Sequence, residues 1–301
     1  MPDSPQTSIR REVEIQRRYY SDTASRYETM HAQEGATDAF SQAFIHSVLR
    51  IFHVQSVLDV GSATGCGLRD FRKAFPGVFV CGVEPVAALL QQGREAGNLS
   101  SVSALQASGD ALPFPDNSFD AVCESATLHH VPNPSAVVSE MLRVARKIVV
   151  IADSNRFGQG SWPARLFKLL LYKLGLWRAF DFIRTRGKRY QISEGDGLFY
   201  SYSVYDSFAL AARWADRLLL VSGDSGHPRS WLHPHSYRQR RYPGGYQGFA
   251  PREVNCRSFL RERRFLPCTP RRVASFLNSS DSVGMAVTNG SSINLTSRSR
   301  L

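Results

Sequence analysis

The sequence predicts an α/β fold, a parallel sheet with crossover helices on both faces, preceded by helices and interrupted by a helical insertion. Three observations carry this. From Ser56 onward short apolar runs (SVLDV, VFVCGVE, VSALQA, FDAVCES, KIVVIAD) alternate with helical stretches, the pattern of strands joined by crossover helices. The first run ends in a turn of small residues, Gly61-Ser62-Ala63-Thr64-Gly65, ahead of a helix, where the backbone can approach a nucleoside closely. And 301 residues with 43% hydrophobic composition suffice to bury a substantial core.

Taken in order, residues 8–30 mix charges with aromatics in a helical manner, and residues 39–53 (AFSQAFIHSVLRIFH) place apolar side chains three and four apart, so two N-terminal helices are expected. After the fifth strand, residues 161–183 (SWPARLFKLLLYKLGLWRAFDFI) predict an apolar helix or helix pair. Its apolar side chains outnumber what one buried face requires, which suggests a hydrophobic ligand or contact with a membrane surface; packing on the sheet edge is the alternative. Residues 204–214 predict a helix and 217–221 (RLLLV) a strand. From about His235 the chain is rich in Arg, Ser, Pro and Gly, without Lys and without sustained periodicity.

The net charge of +11 is uneven: residues 1–221 carry 24 Lys and Arg against 22 acids, and residues 222–301 carry 13 Arg against 4 acids. The nearly neutral core therefore offers no footprint for a nucleic acid, whereas the tail does. Cys66, Cys81, Cys123, Cys256 and Cys268 show neither CxxC nor Cys/His spacing, so no disulfide framework and no metal site are expected. No apolar leader and no run long enough to span a bilayer are found, so the expectation is a cytoplasmic protein.

The candidate site residues follow the strands. Glu84 ends the second strand, nineteen residues after Gly65, where a carboxylate can accept both hydroxyls of a ribose. The turn lacks the G-x-G-x-x-G of a dinucleotide enzyme, offering Gly61-x-Ala63-x-x-Cys66 instead. In GDALPFPDNSFD, Asp110 stands just after the third strand, positioned to receive an adenine amino group. His129 and His130 follow the fourth strand, at the sheet edge where a general base would act.

The segments VLDVGSATG, GVEP, GDALPFPDNSFDAV and LHHVPNPSAVVSEMLRV together resemble the methyltransferase type 11 group of the class I S-adenosylmethionine (SAM) dependent methyltransferases, over Ser56 to about Asp153. The resemblance implies a Rossmann-like sheet and SAM as cofactor. Asp59, Gly61, Ala63 and Gly65 would then hold its methionine end, Glu84 its ribose, and Asp110 with Ala111 its adenine; Glu124 completes the expected cofactor set. Ala63 departs from the family, which usually has glycine there. In similar proteins a last apolar strand follows the one at 217–221 and inserts beside it. The sequence pattern does not supply it; an alternative reading of the tail is a poorly patterned extra subdomain, for which 272–277 (RVASFL) and 282–288 (SVGMAVT) are the strand-like candidates.

The expected organisation is therefore a methyltransferase domain over 1–234, made of a helical cap (8–55), a cofactor-binding core (56–153), a helical insertion (154–203) and the end of the sheet (204–234). An Arg/Ser/Pro-rich tail (235–301) follows, disordered by composition or read in a changed frame from near Pro234. The expected activity is methyl transfer from SAM to a small-molecule acceptor, with His129 or His130 as candidate base and no metal. Two alternatives stand beside it: a SAM-binding protein with little turnover, and a nucleic-acid-associated protein acting through its basic tail.

Overall fold

The computed structural model describes residues 5–31, 35–156, 161–223, 252–255 and 282–288. The expected change near Pro234, the candidate strand at 272–277 and most of the basic tail lie outside the described residues.

Three helices open the chain: α1 (Pro5–Thr23), α2 (Tyr27–His31) and α3 (Gly35–Ile51). The α/β alternation follows as β1 (Ser56–Val60), α4 (Cys66–Ala74), β2 (Phe79–Glu84), α5 (Ala87–Glu95), β3 (Ser103–Gln106), β4 (Phe119–Ser125), α6 (Pro134–Val144) and β5 (Ala145–Ser154). The insertion is a helix pair, α7 (Trp162–Lys173) and α8 (Trp177–Arg184), and then a hairpin that the sequence analysis did not anticipate, β6 (Tyr190–Ser193) with β7 (Gly197–Tyr200). The chain returns to the sheet through α9 (Phe208–Trp214) and β8 (Arg217–Gly223), with β9 (Arg252–Asn255) and β10 (Ser282–Thr288) completing it.

The sheet order is β3-β2-β1-β4-β5-β10-β8-β9. Strands β1 to β5 pair in parallel, and β10 runs antiparallel between β5 and β8. Alternation of side chains divides the core into two layers. Leu58, Val60, Val149 and Ile151 face Val138 and Met141 of α6 and Ala211 of α9. Val57, Ile148 and Val150 face Ile45 and Leu49 of α3 and Leu68 and Phe71 of α4. Cys81 and Cys123 are buried one on each side, free thiols acting as small apolar groups.

The expectation that the tail withholds the last strand is corrected here, because 282–288 fills that place as β10. Met285 and Val287 are fully buried on the α6 side. On the opposite face the middle of the strand carries the small Gly284 and Ala286, and a side chain at Gly284 would come within 2.5 Å of the Phe44 ring on α3.

Candidate active site

The chain lays down β1, β2 and β3 in one direction and returns to place β4 and β5 on the other side of β1. Ligands of such sheets bind beyond the carboxyl ends of the strands where the order reverses. A cavity of about 1220 Å³ lies there, with Asp59 to Thr64, Glu84, Asp110, Ser125 to Thr127, His129, His130 and Asp153 among the residues around it.

The turn after β1 is built on left-handed backbone: φ is +83° at Gly61, +46° at Ala63 and +80° at Gly65. At Gly61 a Cβ would stand 2.3 Å from Thr127 Oγ1, so glycine is what lets the loop after β4 close against the turn. Ala63 has no such freedom, and left-handed geometry costs an L-residue roughly 1–2 kcal/mol. Ala63→Gly is therefore expected to stabilise the fold by about 0.5–1 kcal/mol, after allowance for the greater chain entropy of glycine; urea unfolding measures this, and a destabilised variant contradicts it.

The Ala63 N–H donates to Glu84 Oε2 at 3.0 Å and the Val86 N–H to Oε1 at 2.9 Å. Glu84 is thus tied to both the turn and the start of α5. Burial pushes its carboxyl up to about 7, against the opposing pull of those two N–H groups. Asp59 is pushed up to about 7 as well, first by burial and then by the Glu84 charge.

The remaining expected cofactor residues separate. Asp110 lies at the cavity with its side chain exposed. Ala111 is not among the residues around the cavity; its N–H donates to the Ser108 carbonyl. Glu124 is fully buried behind it, where one carboxylate oxygen accepts the Thr127 N–H at 2.7 Å and the Leu128 N–H at 3.2 Å. Expected as a direct cofactor contact, Glu124 instead shapes the loop carrying the two histidines, because those amides draw its carboxyl inward. Burial, followed by neighbouring Asp153, holds it well above the usual carboxylate range.

Asp153, at the end of β5, is fixed by the same loop. Its Oδ2 accepts the Leu128 N–H at 2.7 Å, and its Oδ1 lies 2.7 Å from His129 Nδ1. Burial opposes its charge, but the His129 ring holds the carboxyl well below its ordinary range. An ionised carboxylate only accepts hydrogen bonds. Nδ1 of His129 therefore carries a proton, and in the neutral ring the lone pair is on Nε2, the arrangement of a positioned general base.

His130 is held differently. Its Nδ1 lies 2.8 Å from the Leu198 carbonyl, an acceptor, so that nitrogen is the donor. Burial and the adjacent His129 push its pKa down to about 4, leaving it neutral near pH 7. His130 ties the loop after β4 to the β6–β7 hairpin.

Gln16 secures that hairpin from α1, with Oε1 accepting the Leu198 N–H at 2.6 Å and Nε2 donating to the Asp196 carbonyl at 2.8 Å. The Tyr19 hydroxyl donates to the Glu194 carbonyl, while Tyr20 and Tyr27, edge to face at 5.9 Å, border the cavity. Helix α1 and the hairpin thus form one wall. Sequence reasoning missed Gln16, Asp196 and Asp153; only Asp153 had a signal, as the acid ending the fifth apolar run. No group of three or more His, Cys, Asp and Glu is placed to hold a metal among the described residues.

The family model described as a methyltransferase domain matches residues 58–151, which span β1 to β5 and the loop with His129. An uncharacterized methyltransferase of Mycolicibacterium paratuberculosis is 32% identical over 200 residues, covering 65% of this chain and 76% of that protein. One of Mycobacterium avium is 32% identical over 183 residues, covering 59% of this chain and 71% of that protein. A solved SAM-dependent methyltransferase of Thermotoga maritima, described as a possible histamine N-methyltransferase, aligns over 91% of this chain and 99% of its own, at 14% identity and a TM-score of 0.47. The shared core and the length of the relatives that it matches establish that this chain belongs to the methyltransferases, in the type 11 group.

Proposed function

We propose that the cavity at the switch point binds SAM and a small, largely hydrophobic acceptor, and that His129 takes the proton from the acceptor's hydroxyl or amine as the methyl group is transferred. The observation that carries this reading is the Asp153–His129 pair at 2.7 Å beside the cavity. Ile9 and Val13 of α1, with Val131, give the space an apolar side for the acceptor.

The residues around the cavity fit the cofactor. Each Glu84 oxygen accepts one backbone N–H and retains a second lone pair for a ribose hydroxyl. Asp110 is exposed at the cavity for the adenine amino group. Two buried carboxyls, Asp59 and Glu84, suit a cationic ligand. Bound there, the sulfonium supplies an already activated methyl group. What the chain adds is alignment of the acceptor, exclusion of water and a place for the proton; Asp153 stabilises the imidazolium that forms.

Calorimetric titration with SAM and with S-adenosylhomocysteine tests the reading first. Saturable binding of micromolar order is expected from both. A folded sample that gives no heat with either ligand overturns it.

A further inference from the structure

The helix pair α7–α8 borders none of the cavity described above, yet it concentrates exposed apolar surface. Of fifteen exposed large hydrophobic side chains among the described residues, ten fall between Trp162 and Ile192. Trp162, Leu166 and Leu170, four apart along α7, form one stripe that continues to Leu174 just past its end, 60% exposed. On α8, Phe182 and Ile183 are 52% and 75% exposed. The inner sides are conventional: Leu169 and Trp177 are buried, and the two helices meet through Phe167 and Phe180, with ring centroids 5.5 Å apart.

The charge of this segment is equally one-sided. Residues 161–190 carry eight Lys and Arg against a single acid, Asp181, while the other residues of 1–221 carry 16 cations and 21 acids. Asp181 is itself paired with Arg184 at 2.7 Å. Lys173, Arg178, Arg186, Lys188 and Arg189 are exposed at the ends of the helices and in the loop to β6. Apolar side chains bordered by cations, in an otherwise acidic domain, match an anionic bilayer surface, where the apolar side chains enter the acyl boundary and the cations meet phosphate headgroups. No helix among the described residues is long and apolar enough to cross a membrane, so the contact is a peripheral one.

We infer that α7 and α8 dock this protein on anionic lipid bilayers. The docking surface leads directly into the β6–β7 hairpin, whose Asp196 borders the cavity, so a docked molecule brings one wall of the site close to the source of an apolar acceptor. The inference does not depend on the proposed methyl transfer, since its readout is lipid binding.

Sedimentation of the full chain with vesicles of phosphatidylcholine alone, and with vesicles that also contain phosphatidylglycerol, tests it. The protein is expected to pellet with the anionic vesicles, to be released by salt, and to remain in solution with the neutral ones. Arg186→Glu with Lys188→Glu is expected to weaken binding about 30-fold or more. Leu170→Glu with Ile183→Glu is expected to abolish it; a circular dichroism melt equal to that of the parent chain shows that the variants fold. Equal binding to neutral vesicles, absence of binding to either, or a dimer that buries the patch in sedimentation velocity overturns the inference.

Discussion

Replacing His129 with Ala is expected to lower kcat about 10²–10⁴-fold, the usual contribution of a positioned general base, while leaving the affinity for SAM unchanged. The reason lies in the Asp153 contact at 2.7 Å, which fixes the imidazole tautomer and stabilises the ring once it is protonated. Asp153→Asn keeps the shape of the buried site but removes the charge. It is expected to lower kcat and to displace the acidic limb of the pH–rate profile, because the imidazolium loses its counter-charge. His130→Ala should affect stability more than kcat, since that ring is bonded to the Leu198 carbonyl. Steady-state rates with an identified acceptor check the set; an unaltered kcat in His129→Ala refutes the assignment of the base.

Glu84→Gln is expected to weaken SAM binding by about 100-fold or more. One hydrogen bond to a charged group contributes about 1.5–3 kcal/mol, and a buried donor left unpaired costs roughly 1–3 kcal/mol. The amide fails on both counts, because the Ala63 and Val86 N–H groups face the two carboxylate oxygens and the amide NH₂ cannot accept either. The parent protein should also bind SAM more weakly as the pH falls below 7. Burial holds Glu84 and Asp59 at about 7 in the cofactor-free protein, whereas a cationic ligand and its hydroxyls favour the ionised carboxylates. Binding near pH 7 therefore releases protons, which appears in calorimetry as a dependence on the ionisation heat of the buffer. The linkage to folding has the opposite sign. The folded chain holds these protons more tightly than the unfolded one, so these two groups withdraw stability as pH rises from their ordinary values, 4.5 and 3.8, through 7. Affinity that is flat between pH 6 and 8, or equal in Glu84→Gln, contradicts the assignment.

Much of this was legible from the amino acids alone. The five short apolar runs from Ser56 to Asp153 alternate with helical stretches, and each became a strand of the parallel sheet. The turn glycines, Glu84 and Asp110 were identifiable because backbone freedom and a carboxylate at a strand end are local properties, encoded within a few residues. The apolar excess of 161–183 was likewise visible as composition, although only the folded chain shows that it faces outward rather than onto the cavity.

The tertiary structure decided what depends on partners distant in sequence. The stretch 282–288 was strand-like in sequence, but its place in the sheet was not legible, because that place is dictated by distant neighbours: Gly284 is small where Phe44 of α3 presses on it, and its hydrogen bonds go to β5 and β8. Adjacent His129 and His130 look equivalent in sequence. They differ because one ring meets a carboxylate 24 residues away and the other a carbonyl 68 residues away. Glu124 was misplaced for the same reason, since side chains alternate across a strand and two loop amides hold its carboxyl on the inner side. Sequence determined which chemistry is available at the carboxyl end of the sheet, through local periodicity and turn geometry; long-range packing decided which of those groups face the cavity and which proton each of them holds.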